Sequence, residues 1–247
     1  MTYLERFRQL AEEIQSHPLL EVVEFKVNSP ASESSFNQVE QKLAAPLAEA
    51  IRTFYRETDG LKLHWKLKSS TTYEELEEIS SQYDDYWIES VEDGYLPFAK
   101  INLLPLEETF FTANWGDIIF SVTDELFGFA GITYSTKNFA KMLRPFDEFS
   151  VSHCMAFLVE EGVGDPKVLL LQDHYATWES SRLTNFESYL EFLLITRGIF
   201  QARLDIYGEY SGHTQPPLIR GSSDYLKIPV PKLFRSDTSS LATGEKH

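Results

Sequence analysis

The chain has 247 residues, enough to bury one large core or two small ones. A formal net charge of −16 with no visible basic patch disfavours direct contact with nucleic-acid phosphates, and the single cysteine, Cys154, excludes an internal disulfide framework. No apolar run approaches the roughly 18 residues needed to span a bilayer. Residues 1–15, charged throughout, lack the apolar centre of a signal peptide, so a soluble cytoplasmic protein in a reducing compartment is expected.

Leu4, Phe7, Leu10, Ala11 and Ile14 recur at helical spacing and predict a first helix ending near His17-Pro18. Residues 19–27 predict a strand, with Val23, Phe25 and Val27 alternating against Glu24 and Lys26. Ser35 with Gln38 three residues on fits a capping box, and Phe36, Val39 and Leu43 share the helical face that follows. Pro46 is placed to open the next helix, where a missing N–H costs nothing, and Leu47, Ala50, Ile51, Phe54 and Tyr55 continue it. Asp59-Gly60 stops that helix, Gly60 supplying a left-handed conformation. The period then changes to two: Leu61, Leu63, Trp65 and Leu67 face one way, Lys62, His64, Lys66 and Lys68 the other.

Residues 69–94 are expected to form a partly helical insertion packed on the sheet, with Tyr73, Leu76, Ile79, Tyr83, Tyr86 and Trp87 interleaved among acids. Further strands are expected at 101–104, 118–122, 155–160 and 167–172, with 127–129 and 131–134 pairing beside 118–122. A helix or turn is expected over 138–143. Residues 161–166, rich in Gly and Pro, make a hairpin turn, and Val168-Leu169-Leu170-Leu171 suggests a strand buried on both faces. Thr184 and Glu187 fit a second capping box before Phe186, Tyr189, Leu190, Leu193 and Leu194, with Arg197-Gly198 closing the helix. Beyond Ile206 periodicity is lost. The expected fold is α+β, a single domain with an antiparallel or mixed sheet packed by helices. Residues 1–34 add a helix and strand to a domain at 35–206, and 207–247 form an extended tail.

Several of these features resemble the SUKH superfamily, which takes in fungal regulators of cell-wall assembly and bacterial immunity proteins. The features are the Pro46-led helix with Ile51, Phe54 and Tyr55; the closing Asp59-Gly60; the strand ending at Asp173-His174; and the helix of Phe186, Tyr189 and Leu190. The likeness covers residues 35–197 with gaps, leaving the acidic insertion and both terminal additions outside it. It implies a non-enzymatic protein-binding module without a cofactor. In bacterial members that means neutralising a cognate toxin, often a nuclease; in fungal ones, regulating cell-wall synthesis.

The residues themselves carry little chemistry. There is no phosphate loop, dinucleotide fingerprint, zinc-protease motif, nucleophile elbow or cysteine pair. Gly162 and Gly164 before Lys167 lack phosphate-loop spacing, and Pro166 removes an amide. Cys154 with His153 and Asp173-His174 is the one set resembling a nucleophilic site, against which a core role for a lone cysteine is expected. Asp84-Asp85 with Glu92-Asp93 lacks the alternation of a Ca²⁺ loop, so no metal is expected. Charge is the informative feature: residues 69–136 hold fourteen carboxylates and one base, Lys100. The expected partner is a basic protein, for which the family likeness implies a toxin domain, and not nucleic acid or membrane. The candidate contacts are Glu74, Glu77, Glu78, Asp84, Asp85, Tyr86, Trp87, Glu92 and Asp93.

Overall fold

The computed structural model describes residues 1–18, 20–70, 72, 98–112, 126–129, 131–150, 153–172 and 183–207. They form an α+β fold around a six-stranded sheet of order β1-β2-β3-β6-β7-β8, in which every neighbouring pair is antiparallel. The acidic stretch 73–97, the strand expected at 118–122, the Asp173-His174 turn and the tail beyond Tyr207 lie outside the described residues.

Helix α1 (Tyr3–Ser16) starts with a capping box that sequence reading passed over: Glu5 N–H donates to Thr2 Oγ1 at 3.2 Å, and Thr2 N–H to Glu5 Oε2 at 2.8 Å. It buries Phe7, Leu10, Ala11 and Ile14, and turns extended at His17, as a residue before proline must. Strand β1 (Leu20–Val27) carries a bulge between Val22 and Glu24. Val23 is the unpaired residue and stands 49% exposed, which overturns its place on the apolar side of the strand.

Helix α2 (Glu33–Leu43) is capped by Ser32, whose Oγ accepts from the Ser35 amide at 3.1 Å. The capping box expected at Ser35 and Gln38 is therefore displaced: Ser35 is buried one turn inside, and its hydroxyl donates to Glu107. Helix α3 (Glu49–Glu57) begins three residues after Pro46, not at it. The cause is long-range. Leu47 N–H donates to the Glu40 carboxylate at 2.9 Å and Ala48 N–H to the Gly164 carbonyl at 2.8 Å, so the linker's donors are satisfied without a helical turn. Gly60 has φ +90°, but it sits past the helix, since Thr58 already ends α3 in an extended conformation.

Strand β2 (Leu61–Leu67) alternates as expected, with Leu61, Leu63, Trp65 and Leu67 buried. β3 (Phe98–Leu103) pairs with it and leads to a π-helical turn (Glu108–Thr112). Strands β4 (Leu126–Phe129) and β5 (Ile132–Ser135) form a separate two-stranded ribbon, followed by α4 (Thr136–Met142) under a Ser135 cap. β6 (Leu143–Asp147) was not expected, because Pro145 argues against a central strand; a register shift at Phe146 accommodates it. β7 (His153–Leu158) and β8 (Lys167–Gln172) form the expected hairpin. Helix α5 (Phe186–Thr196) is capped by Asn185 rather than Thr184, which instead exchanges two backbone bonds with Val168 at the β8 edge. Arg197 closes it in a left-handed conformation, and a final helix, α6 (Phe200–Tyr207), follows.

Two apolar layers result. On one face, α1, α2, α3, α5 and α6 cover the sheet, with Phe36, Phe54, Trp65, Phe146, Phe157 and Phe186 among their shared core. On the other, Phe129 and Phe139 from the ribbon and α4 cover the β6-β7-β8 half, against Cys154, Ala156, Leu169 and Leu171. The β8 run is thus buried on both faces, Val168 and Leu170 on one side, Leu169 and Leu171 on the other.

The β7–β8 turn holds the helix linker in place. Gly162 N–H donates to the Leu43 carbonyl at 2.7 Å, and a Cβ on Gly164 would lie 1.7 Å from the Pro46 carbonyl oxygen. A Cβ on Gly60 would meet the Leu103 carbonyl oxygen at 2.5 Å. Gly60→Ala is expected to lower stability by about 1–3 kcal/mol, and Gly164→Ala by at least as much, read from urea midpoints. A midpoint unchanged by Gly164→Ala would contradict the docking of this turn.

Candidate functional site

The nine candidate contact residues, Glu74, Glu77, Glu78, Asp84, Asp85, Tyr86, Trp87, Glu92 and Asp93, lie outside the described residues. The structure fixes where their stretch is attached. It leaves the sheet after β2 and returns at β3, and Lys66 pairs with Phe98 across those two strands, so the attachment points are neighbours on a rigid support. The acids at the far side of β3 divide in role. Glu107 and Glu108 are both exposed, but Glu107 accepts the Ser35 hydroxyl at 2.7 Å and ties α2 to the π-helical turn. Glu148, partly buried, is held above the usual carboxylate range by burial first and then by Glu108.

The outer face of β1-β2-β3 carries rows of lysines, interspersed with Glu21 and Glu24, that sequence reading missed in part. Register aligns Lys26 with Lys62, and His64 with Lys100, while Lys66 lies beside Glu21 at 3.1 Å. Lys26, Lys62 and Lys100 make no ion pair among the described residues. Burial, then Lys100, holds the His64 imidazole below its ordinary value, so it is neutral near pH 7. Alternation along β2 showed one row of this face. The rows from β1 and β3 required knowledge of strand pairing.

Cys154 faces Leu171 across the hairpin and is fully buried in the second apolar layer. Burial pushes its thiol well up, with Glu148 and Asp147 adding to the effect, so the thiolate is disfavoured. His153 points elsewhere, its Nδ1 3.0 Å from Ser150 Oγ, and its ring packs against Phe149 and Phe200. Asp173 and His174, the other members of the candidate set, lie outside the described residues.

The densest polar cluster is one that periodicity could not flag. Arg203 of α6 and Asp147 of β6 are both fully buried and paired at 2.9 Å. Asp147 Oδ2 also accepts the Tyr189 hydroxyl at 2.5 Å, and Oδ1 the Asn102 amide at 2.7 Å. Arg203 further donates to Tyr189 Oη, the Gly198 carbonyl and the Lys100 carbonyl, and stacks 4.2 Å from the Phe149 ring centre. Burial works against the guanidinium charge, and Tyr189 and Asp147 more than restore it, leaving Arg203 above its ordinary value. Burial raises the Tyr189 phenol well out of the working range, so it remains a donor. With each charged group taken up by protein partners and closed to solvent, this cluster positions chain segments.

Comparison with family models gave no match, and comparison with curated proteins gave no similar sequence. No helix among the described residues is long and apolar enough to cross a membrane.

Two outcomes follow from this geometry. Cys154 in the native protein is expected to resist iodoacetamide near neutral pH and to react at the rate of unfolding, followed by mass spectrometry; rapid native alkylation would contradict its burial. Arg203→Met and Asp147→Asn are each expected to cost about 3–5 kcal/mol, since each leaves a buried partner uncompensated. The double variant should cost less than their sum by urea denaturation, and additive losses would show that the two groups do not act as a pair.

Proposed function

We propose that this protein is a non-enzymatic, cytoplasmic binding module for a basic protein partner, acting in the manner of SUKH immunity proteins that neutralise a cognate toxin. The partner is held by the acidic stretch between β2 and β3. The observation that carries this reading is a charge pattern on a fixed support. Residues 73–97 hold nine carboxylates, no lysine or arginine, and four of the chain's tyrosines with Trp87, and their two ends join paired strands. A surface with acids around aromatic anchors suits a cationic target: the acids steer encounter, and Tyr and Trp supply the contact area that holds it. A nuclease presents a cationic substrate face, so an acidic surface of this kind would occupy that face and block it.

The test is kinetic. A partner is captured on the immobilised full chain at about 50 mM salt and its association is measured by surface plasmon resonance. Glu77, Glu78, Asp84 and Asp85 changed together to lysine are expected to slow kon by an order of magnitude or more, with a much smaller change in koff. Raising salt should slow the unaltered protein in the same way. An association rate insensitive to both the reversal and salt would refute the acidic reading.

A further inference from the structure

Two neighbouring cations, Lys42 of α2 and Arg144 of β6, form no ion pair among the described residues. Lys42, in the last turn of α2, reaches the π-helical turn, where its Nζ donates to the Phe110 carbonyl and lies 4.6 Å from the centre of the Phe111 ring. Phe110 stacks on Phe157 with ring centres 5.5 Å apart, and Phe157 is the cross-strand partner of Arg144. Arg144 thus shares the sheet face of Phe157, on which the turn packs, and lies near enough for its charge to act on Lys42. Burial, then the neighbouring Arg144, lowers the Lys42 ammonium; burial alone lowers Arg144.

Arg144 is partly buried, and its hydrogen bonding among the described residues is one contact, Nη1 to the Leu143 carbonyl at 2.7 Å. Its remaining N–H groups are not sealed from solvent, so they are open to a ligand. Every other partly or fully buried arginine among the described residues has a carboxylate: Arg6 with Glu191, Arg52 with Glu40, Arg197 with Glu13, Arg203 with Asp147. A partly buried arginine beside a second cation, with no carboxylate on either among the described residues, would be stabilised by an anion between them.

We propose that Lys42 and Arg144, with the Phe111 ring beside them, form a binding site for a small organic oxyanion, a carboxylate or a phosphate. The guanidinium fork can take two oxygens of either group in parallel, and Lys42 adds a point charge. Phe111, 43% exposed, offers an apolar surface to the body of the ligand. None of these residues belongs to the acidic stretch, and the test does not depend on that stretch having a partner.

Benzoate and inorganic phosphate are titrated into the full chain, with chloride at matched ionic strength as the control, following Tm by calorimetry. At least one of the two is expected to raise Tm saturably where chloride does not; benzoate alone identifies a carboxylate site and phosphate alone a phosphate site. Arg144→Gln and Lys42→Met are each expected to weaken the apparent Kd about tenfold or more, a loss of about 1.4 kcal/mol. Lys42 is exposed, so its variant decides the matter should Arg144→Gln fail to fold. Equal shifts in chloride, no shift with either anion, or an affinity unchanged in Lys42→Met would overturn the proposal.

Discussion

The fold depends on the seam between β3 and β6, where the two halves of the sheet join. Backbone pairing there is brief: Leu103 opposes Asp147, Leu104 N–H donates to the Phe146 carbonyl, and Glu148 N–H to the Asn102 carbonyl. The Asp147 carboxylate extends the seam by accepting the Asn102 amide, and its other oxygen is held by Arg203 and Tyr189. One side chain thus links β3, β6, α5 and α6. A buried ion pair contributes little net stability beside an apolar substitute, yet costs several kcal/mol when one member is lost. Its effect here is on register, because a one-residue slip of β6 would carry Asp147 to the opposite face, away from both Asn102 and Arg203.

The same device recurs wherever the chain has to connect distant segments. Trp65 Nε1 donates to the Arg197 carbonyl at 2.8 Å, so the largest core side chain of β2 also satisfies the C-terminus of α5. The α2–α3 linker takes its partners from Glu40 and from the Gly162–Gly164 turn. These contacts join parts far apart in sequence, and they leave the helix-bearing face of the sheet closed. The opposite face remains divided. Among the described residues, its β6-β7-β8 half lies under the ribbon and α4, and its β1-β2-β3 half carries the exposed Lys26 and Lys62.

Legibility followed the range of the interaction. The helical faces of Phe7 to Ile14 and Phe36 to Leu43, the alternation of β2 and the two-sided burial of β8 are local periodicities, and each could be read from spacing. Where a remote group decided the outcome, spacing misled. Ser35 has the right neighbours for a cap, but Glu107 claims its hydroxyl. Thr184 looks like a cap, but Val168 claims its backbone, and Asn185 next door does the capping. Helix α6 escaped notice because its central buried residue is an arginine, which a hydrophobic pattern scores against burial. The same holds for the sites. The excess of acids is visible in any count, whereas Lys26 beside Lys62, or Lys42 near Arg144, appears only once strands and turns are paired.

That division of charge bears on how a basic partner would engage the acidic stretch. Attraction alone permits many orientations, because the nine carboxylates of residues 73–97 would steer a cation without fixing its pose. Lys26, Lys62 and Lys100 adjoin the strands that carry the stretch, and they repel the same partner. A basic protein sliding from that stretch onto the exposed Lys26 and Lys62 would set like charges against one another. Specificity is a difference between right and wrong complexes, and a repulsive surface beside an attractive one widens that difference. If the acidic stretch takes a basic partner as proposed, these lysines would limit where that partner can settle.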